Sequence, residues 1–345
     1  MTRIAINGFG RIGRIFFRQA FGRPDLEIVA VNDLGSAENL AYLLKHDSVY
    51  REYGRTVVAK KDALVVDGQT IPVFGFKELA DLPWKQLSVD IVVEATGVFD
   101  SSDKARGHIK AGAKRVVITA PPKDDITPVI TPGIGAMSGG MDSTKDNIGT
   151  GAITSNASCT TNATNPVVVI MLKNLGIKKA VLTTVHGYTA TQGLVDGPDR
   201  KDDFRRARAA AVNIVPSTTG AAQATTRSIP ELLNKFDGLA IRVPVISGSL
   251  IDFTFVSERS TSVEEVNQLF RMAAAQPEWQ GILMTTDEPL VSSDILGNPH
   301  GSIVDLALTK VVGGDLIKVF SWYDNEWGYC AMLLKHVERV AELLE

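Results

Sequence analysis

Cysteine is scarce in this chain: Cys159 and Cys330 are the two thiols among 345 residues. That scarcity excludes a disulfide-stapled secreted domain and leaves both thiols for packing or chemistry. Long apolar runs are missing too. The longest clear one, Val167 to Leu172, is a core-sized segment well short of a membrane span. Met1 to Gly8 carries no apolar signal-peptide core. No charge of one sign dominates, with 36 basic residues against 39 acidic ones and a net charge of -3. The longest basic cluster, Arg205-Arg206-Ala207-Arg208, falls short of the basic stripe of a nucleic-acid binder, so nucleic acid is not indicated. Repeats of fixed period are absent. His46, His108, His300 and His336 have no metal-ligand spacing among themselves or with Cys330, so no metal is assigned. What is present, 44% hydrophobic and 22% charged residues, is enough apolar material to exclude disorder as the main state. At roughly 150 residues per domain the length points to two domains. The class left by these exclusions is a cytoplasmic enzyme.

The N-terminal half alternates strands and helices. Thr2 to Asn7 is a short β-branched run, Arg14 to Phe21 has helical spacing of its apolar residues, and Leu26 to Asn32 reads as a second buried strand. Between the first strand and the helix stands Gly8-Phe9-Gly10-Arg11-Ile12-Gly13. In such a β-α-β setting the first glycine allows a tight turn. The second lets backbone approach a pyrophosphate, and the third lets helix and strand pack closely. The helix N-terminus then presents unpaired N–H groups to phosphate. Asp33 ends the second strand, where a carboxylate accepts from a ribose 2′-OH and repels a 2′-phosphate, so NAD is favoured over NADP. Val89 to Thr96 and Arg115 to Thr119 add parallel, buried strands, with crossover helices at Glu38 to Leu44 and Ser102 to Ala111. Pro121 to Gly151 is rich in Gly, Pro, Ser and Asp and reads as a long connection, with at most a short strand at Pro128 to Thr131.

Beyond that connection a helix is expected at Thr160 to Leu175. Strands follow at Ala180 to His186, Leu239 to Val245, Leu250 to Val256, Ile303 to Leu308 and Leu316 to Trp322. Helices are expected at Ser262 to Ala275 and Tyr329 to Leu344. The fold class is therefore α/β: a Rossmann dinucleotide-binding domain plus an α+β domain with a mostly antiparallel sheet. Cys159 sits among small polar residues, Ser155 to Asn162, just before the helical run. A cysteine at a helix N-terminus has a lowered pKa. His186 ends an apolar strand and opens a polar loop. Taken alone it is more often a strand-end histidine than a base, but beside a thiolate it fits the nucleophile-plus-base pattern. Arg205, Arg206, Arg208 and Arg242 are candidate anion ligands, with surface arginine as the ordinary alternative.

Read together, INGFGRIGR (Ile6 to Arg14), VND (Val31 to Asp33), SNASCTTN (Ser155 to Asn162), VHGYTATQ (Val185 to Gln192), STTGAA (Ser217 to Ala222), RVPV (Arg242 to Val245) and WYDNEWGY (Trp322 to Tyr329) resemble the phosphorylating glyceraldehyde-3-phosphate dehydrogenases. The motifs stand in the family's order over nearly the whole chain. The resemblance implies an NAD-binding domain over 1–158, a catalytic domain over 159–325 and a C-terminal helix over 326–345 that returns to the first domain. It implies NAD as cofactor, the small-molecule aldehyde and inorganic phosphate as partners, a homotetramer and no membrane. By motif position, Cys159 is the nucleophile and His186 its base. Ser158, Thr160, Thr189, Thr191, Arg205, Thr219, Gly220 and Arg242 fall on the substrate and phosphate positions. Gly8, Phe9, Gly10, Arg11, Ile12, Gly13, Asp33, Lys77, Thr96, Gly97, Thr119 and Asn325 fall on the cofactor positions.

The chain departs from the family pattern in several places. Lys77 stands where Arg is common, Gln223 where Lys is common and Cys330 where Ser is common, and Pro121 to Gly151 is longer than usual. Two other readings share parts of the pattern: an erythrose-4-phosphate dehydrogenase, and a non-catalytic NAD-binding redox regulator built on a reactive Cys159. Retention of Thr189-Ala190-Thr191 and Ser217 to Gly220 favours the triose enzyme over both. The loop Gly187 to Asp203 is expected to pack across a subunit interface beside a neighbour's cofactor.

Overall fold

A computed structural model describes residues 1–134, 152–198 and 203–344. Residues 135–151, most of the glycine-rich end of the long connection, lie outside the described part. The described residues form two compact units, one of 1–130, 152–157 and 333–344, the other of 131–134, 158–198 and 203–332.

The first unit is built on one eight-stranded sheet. Its strands are β1 (Thr2–Asn7), β2 (Leu26–Asn32), β3 (Val57–Lys60), β4 (Ala63–Val66), β5 (Gln69–Phe74), β6 (Ile91–Glu94), β7 (Arg115–Ile118) and β8 (Ile153–Ser155), in the order β8-β7-β6-β1-β2-β5-β4-β3. All pairs from β8 to β5 are parallel, while β5, β4 and β3 meander antiparallel at the edge. The parallel strands read as apolar runs because both faces are covered; all four residues of β6 are buried. Helix α1 (Arg11–Ala20) turns Ile15, Phe16, Phe17 and Ala20 inward. Helices α2 (Ala37–Lys45) and α3 (Ser102–Lys110) start at Ser36 and Ser101, whose hydroxyls accept from the Asn39 and Lys104 N–H groups. Strand order reverses direction about β1, so the carboxyl ends of β1, β2 and β6 meet at the crevice where such sheets bind ligands. Among its described residues the connection contributes one isolated parallel bridge, Val129 to Ser155, in place of a strand at Pro128 to Thr131.

The second unit packs helices on a seven-stranded sheet. Its long helix is α4 (Cys159–Leu175), followed by β9 (Lys179–Gly187), β10 (Val215–Thr218), α5 (Ala221–Ser228), β11 (Phe236–Val243), β12 (Ser249–Val256), α6 (Val263–Ala274), β13 (Leu283–Thr286), β14 (Ser302–Val312) and β15 (Leu316–Tyr323). The order is β10-β11-β9-β12-β15-β14-β13. Four neighbouring pairs are antiparallel, and β9/β11 and β13/β14 are parallel. Strict alternation along β12 sends Ile251, Phe253 and Phe255 into a core with Val167, Ile170 and Met171 of α4. Helix α7 (Trp327–Glu342) belongs to the second unit through Met332 and to the first from Leu333.

Candidate active site

The chemistry of the second unit centres on the start of α4. Ser158 is its N-cap, extended in backbone and accepting the Thr161 N–H at 3.0 Å, which makes Cys159 the first helical residue. The turn before it is tight: Ala157 is fully buried with φ of 53°, a left-handed conformation that a side chain adopts at a cost. The half-buried Cys159 Sγ lies 3.3 Å from His186 Nε2, at the end of β9. A spacing of 27 residues is thus closed by folding α4 onto the sheet. In the parallel register of β9 and β11, His186 pairs directly with Arg242. Arg242 Nη1 donates to the Gly187 carbonyl at 3.0 Å and stands 2.6 Å from His186 Nδ1, which itself faces that carbonyl at 2.6 Å.

These neighbours support both ring tautomers. With the proton on Nδ1, donated to the Gly187 carbonyl, Nε2 accepts from the thiol. With Nδ1 accepting from Arg242, Nε2–H donates to sulfur or to an oxygen on a bound carbon. Burial, then the Arg242 charge, pulls the imidazole down to about 3, opposed by the Gly187 carbonyl. The thiol differs from the expectation of a lowered pKa. Burial pushes it up, outweighing the Arg242 charge and the hydrogen bonds of Thr160 and the helix-start N–H groups that pull it down. The helix terminus acts in the foreseen direction, but desolvation is the larger effect.

Tyr323 closes the site from β15. Its Oη is shared between Thr160 Oγ1 at 2.9 Å and Thr184 Oγ1 at 2.8 Å, and its ring meets His186 edge-on at 5.9 Å. The remaining anion candidates lie at different depths. Thr189 and Thr191 hydroxyls face one another at 2.9 Å on an exposed turn. Thr219 accepts the Ala221 N–H, and Gly220 is the N-cap of α5. Arg205 is exposed, with its backbone N–H on Asp203. Arg206, one residue on, sends Nε to Ser217 Oγ at 2.7 Å and Nη2 to the Thr218 carbonyl, and its charge reaches both His186 and Arg242. Motif position alone passed over Arg206 and Tyr323; the signal for Arg206 was its place in the basic cluster beside the STTG segment.

The first unit holds a cavity of about 460 Å³ at the carboxyl ends of β1, β2 and β6, lined by Gly8, Gly10, Asp33, Lys77, Thr96 and their neighbours. The three glycines divide the work as their spacing foretold. Gly8 has φ of 94° and lies so close to the Ala95–Thr96 backbone that a Cβ would stand 2.6 Å from the Thr96 nitrogen. Gly10 has open space where a Cβ would go. A Cβ on Gly13 would stand 2.1 Å from the Gly8 carbonyl oxygen. The N-cap of α1, Gly10, makes no side-chain cap hydrogen bond. Asp33 receives the Phe9 N–H on one oxygen and the Gly35 N–H on the other, at 2.7 and 2.8 Å. Each oxygen keeps a lone pair for a sugar hydroxyl. Arg11 is turned onto Asp47 and the Tyr50 ring, away from the cavity lining. Ile12 is half-buried, Gly97 is exposed with φ of 70°, and the Thr119 N–H is bonded to the Glu94 carbonyl. Asn325 belongs to the second unit, where its amide oxygen accepts from the Gly248 N–H and the Ser249 hydroxyl. An open glycine and a presented carboxylate suit a dinucleotide.

Comparison with known proteins agrees with both halves. The family model for the glyceraldehyde 3-phosphate dehydrogenase NAD-binding domain matches residues 2–102, and that for the C-terminal domain of the same enzymes matches 158–325. The chain is 44% identical over 345 residues to glyceraldehyde-3-phosphate dehydrogenase of Zymomonas mobilis, covering 99% of each. It is 43% identical to glyceraldehyde-3-phosphate dehydrogenase 2 of Bacillus subtilis, over 99% of this chain and 97% of the relative. To the Mycolicibacterium smegmatis glyceraldehyde-3-phosphate dehydrogenase it is 47% identical, over 99% of each.

Proposed function

Because the chain belongs to the glyceraldehyde-3-phosphate dehydrogenase family, we propose that it is the NAD-dependent oxidoreductase converting D-glyceraldehyde 3-phosphate and inorganic phosphate to 1,3-bisphosphoglycerate through Cys159. The observation that carries this reading is the 3.3 Å approach of Cys159 Sγ to His186 Nε2 beside the Arg242 guanidinium.

The thiol sulfur adds to the aldehyde carbon as His186 Nε2 takes its proton and passes it to the former carbonyl oxygen, giving a hemithioacetal and leaving the imidazole neutral. The same nitrogen, free again, then receives the proton of the new hydroxyl as the carbon gives up a hydride and reaches the acyl level. NAD, held at Gly8 to Gly13 and Asp33, supplies the hydride acceptor. Cys159 is left carrying a thioester, and inorganic phosphate attacks it and displaces the sulfur. The Cys159 backbone N–H at the helix start is the donor placed to meet the oxyanion of each tetrahedral species. Arg242, Arg206 and the hydroxyls of Thr189, Thr191 and Thr219 supply charge-assisted and neutral bonds for two phosphate groups. Ser158 and Thr160 hold the helix start in place.

The same reading takes 1–158 as the NAD-binding domain, 159–325 as the catalytic domain and 326–345 as the returning helix, supported by the two-unit division. It places the enzyme in the cytoplasm, in keeping with two free cysteines. It makes the enzyme a homotetramer, supported by apolar side chains left exposed on the sheet face opposite the core: Val181, Leu239, Val312 and Leu316. Reduced-nicotinamide absorbance, followed with and without inorganic phosphate on wild type and Cys159→Ser, tests the chemistry. Phosphate-dependent turnover that vanishes in the variant is expected. Turnover that survives the substitution, or that ignores phosphate, rejects the thioester route.

A further inference from the structure

Beneath the cavity of the first unit lies a polar network that no step above uses. Glu94, the last residue of β6, and His108, on α3, are both sealed from solvent, with 2% and 0% of their surface exposed. Four donors converge on the Glu94 carboxyl group. His108 Nε2 at 2.9 Å and Asn7 Nδ2 at 2.5 Å meet Oε2; the Thr96 backbone N–H at 2.8 Å and the Thr96 hydroxyl meet Oε1. A carboxylate satisfies all four, because both its oxygens only accept.

The histidine is locked by a partner of its own. Trp84 Nε1–H, which can only donate, points at His108 Nδ1 at 3.0 Å, so the ring proton is held on Nε2 and directed to Glu94. Trp84 stacks on one side of the ring, and Phe99, a lining residue of the cavity, meets it edge-on. From Asn7 the network continues: its Oδ1 accepts Asn32 Nδ2 at 2.7 Å. Asn32 then exchanges two bonds with the Phe76 backbone, at 3.0 and 2.9 Å. One chain of hydrogen bonds, buried at Asn7, Asn32, Glu94 and His108, thus joins the carboxyl ends of β1, β2 and β6 and the segment after β5. Four of its members, Asn7, Asn32, Phe76 and Thr96, line the cavity, while Glu94, His108 and Trp84 do not.

We propose that Glu94 and His108 are positioning residues for the dinucleotide: through Thr96 and Asn7 they hold these segments in the one arrangement that accepts it. This rests on the reading of the cavity as part of the NAD site. Interior hydrogen bonds to a charged group are strong, and a half-satisfied network is worse than none. Glu94→Gln is nearly isosteric, yet its amide NH₂ must face one of the two donor pairs and push it away.

Calorimetric NAD titration of the full-length enzyme tests the proposal, alongside melting temperature and steady-state kinetics. Wild type is expected to bind NAD. In Glu94→Gln the dissociation constant and KM for NAD are expected to rise about tenfold, the worth of one charge-assisted bond, with kcat at saturating NAD little changed. His108→Leu is expected to do the same, while His108→Gln, which keeps a donor near Glu94, recovers most of the affinity. That pair carries the test should Glu94→Gln not fold. A purely structural role would lower the melting temperature of both His108 variants and leave NAD affinity of the folded protein at the wild-type value; that result overturns the proposal. A wild type that fails to bind NAD overturns it together with the assignment of the cavity.

Discussion

Arg242 is the residue on which the electrostatics of the thiol and the imidazole meet. Its charge favours a thiolate at Cys159 and disfavours a second proton on His186, so it lowers both pKa values. Removing it by Arg242→Leu is expected to raise both. The rate of iodoacetamide alkylation against pH would then have its midpoint displaced upward. A midpoint that stays put or falls would mean that the guanidinium is not felt by the sulfur. Burial acts the opposite way on the thiol, which is why the sequence context of Cys159 foretold the wrong net direction. A helix N-terminus is legible from Ser158 and the helical run after it. The depth at which the sulfur lies depends on Tyr323, Thr184 and β9, more than twenty residues away. Arg205 and Arg206 make the same point, because adjacent arginines are equivalent in a motif until the backbone decides which of them turns toward Ser217.

At the scale of elements, the β1-α1-β2 unit was legible because its signals are local: β-branched strands, three glycines with distinct steric jobs and an acidic residue at the strand end. The edge strands β3 and β4 and helix α5 were not. The strands are four residues each, β3 carries exposed positions and a lysine, and α5 is a short Ala- and Thr-rich helix without an apolar stripe. His108 and His336 have no metal-ligand spacing in the sequence, yet both are buried and hydrogen-bonded. His336, on α7, stands between Thr154 and Asn156, with Nε2 3.1 Å from one side chain and Nδ1 3.3 Å from the other. Burial pulls its pKa from 6.5 to about 3. The unfolded chain therefore takes a proton at this position below pH 6.5 while the folded one does not, and stability is lost as the pH falls from there toward 3. By about pH 5 the loss is about 2 kcal/mol. Urea unfolding of wild type and His336→Gln at neutral pH and at about pH 5 reads this directly, and the variant's stability is expected to fall less by that amount. Parallel pH dependences in the two proteins would show that the ring is protonated in the folded state.

At the scale of the whole molecule, the sheet of the second unit has two faces of unequal treatment. One carries Ala180, Leu182, Phe253, Ile317 and Val319 into the core. The other presents Val181, Leu239, Val312 and Leu316, exposed by 58%, 45%, 62% and 41%. Alternation along a strand requires a polar outer set when that face meets water, and these four positions break the rule together. The segment that opens at Gly187 does the same, with Leu194, Val195 and Phe204 exposed by 83%, 72% and 83%. Isolated apolar residues on a surface need no explanation, but two clusters on one unit are the composition of an interface. Placing charges there separates assembly from folding, because partly exposed positions tolerate substitution within a single chain. Light scattering across a dilution series is expected to give a wild-type mass of four chains. Val181→Asp combined with Leu239→Asp is expected to give a smaller species with helix content unchanged by circular dichroism. A wild type that is monomeric and fully active at assay concentration would remove the need for any neighbour at the Gly187 loop. A double variant that keeps the full mass would instead leave the outer face outside the interface and shift the contact to Leu194, Val195 and Phe204.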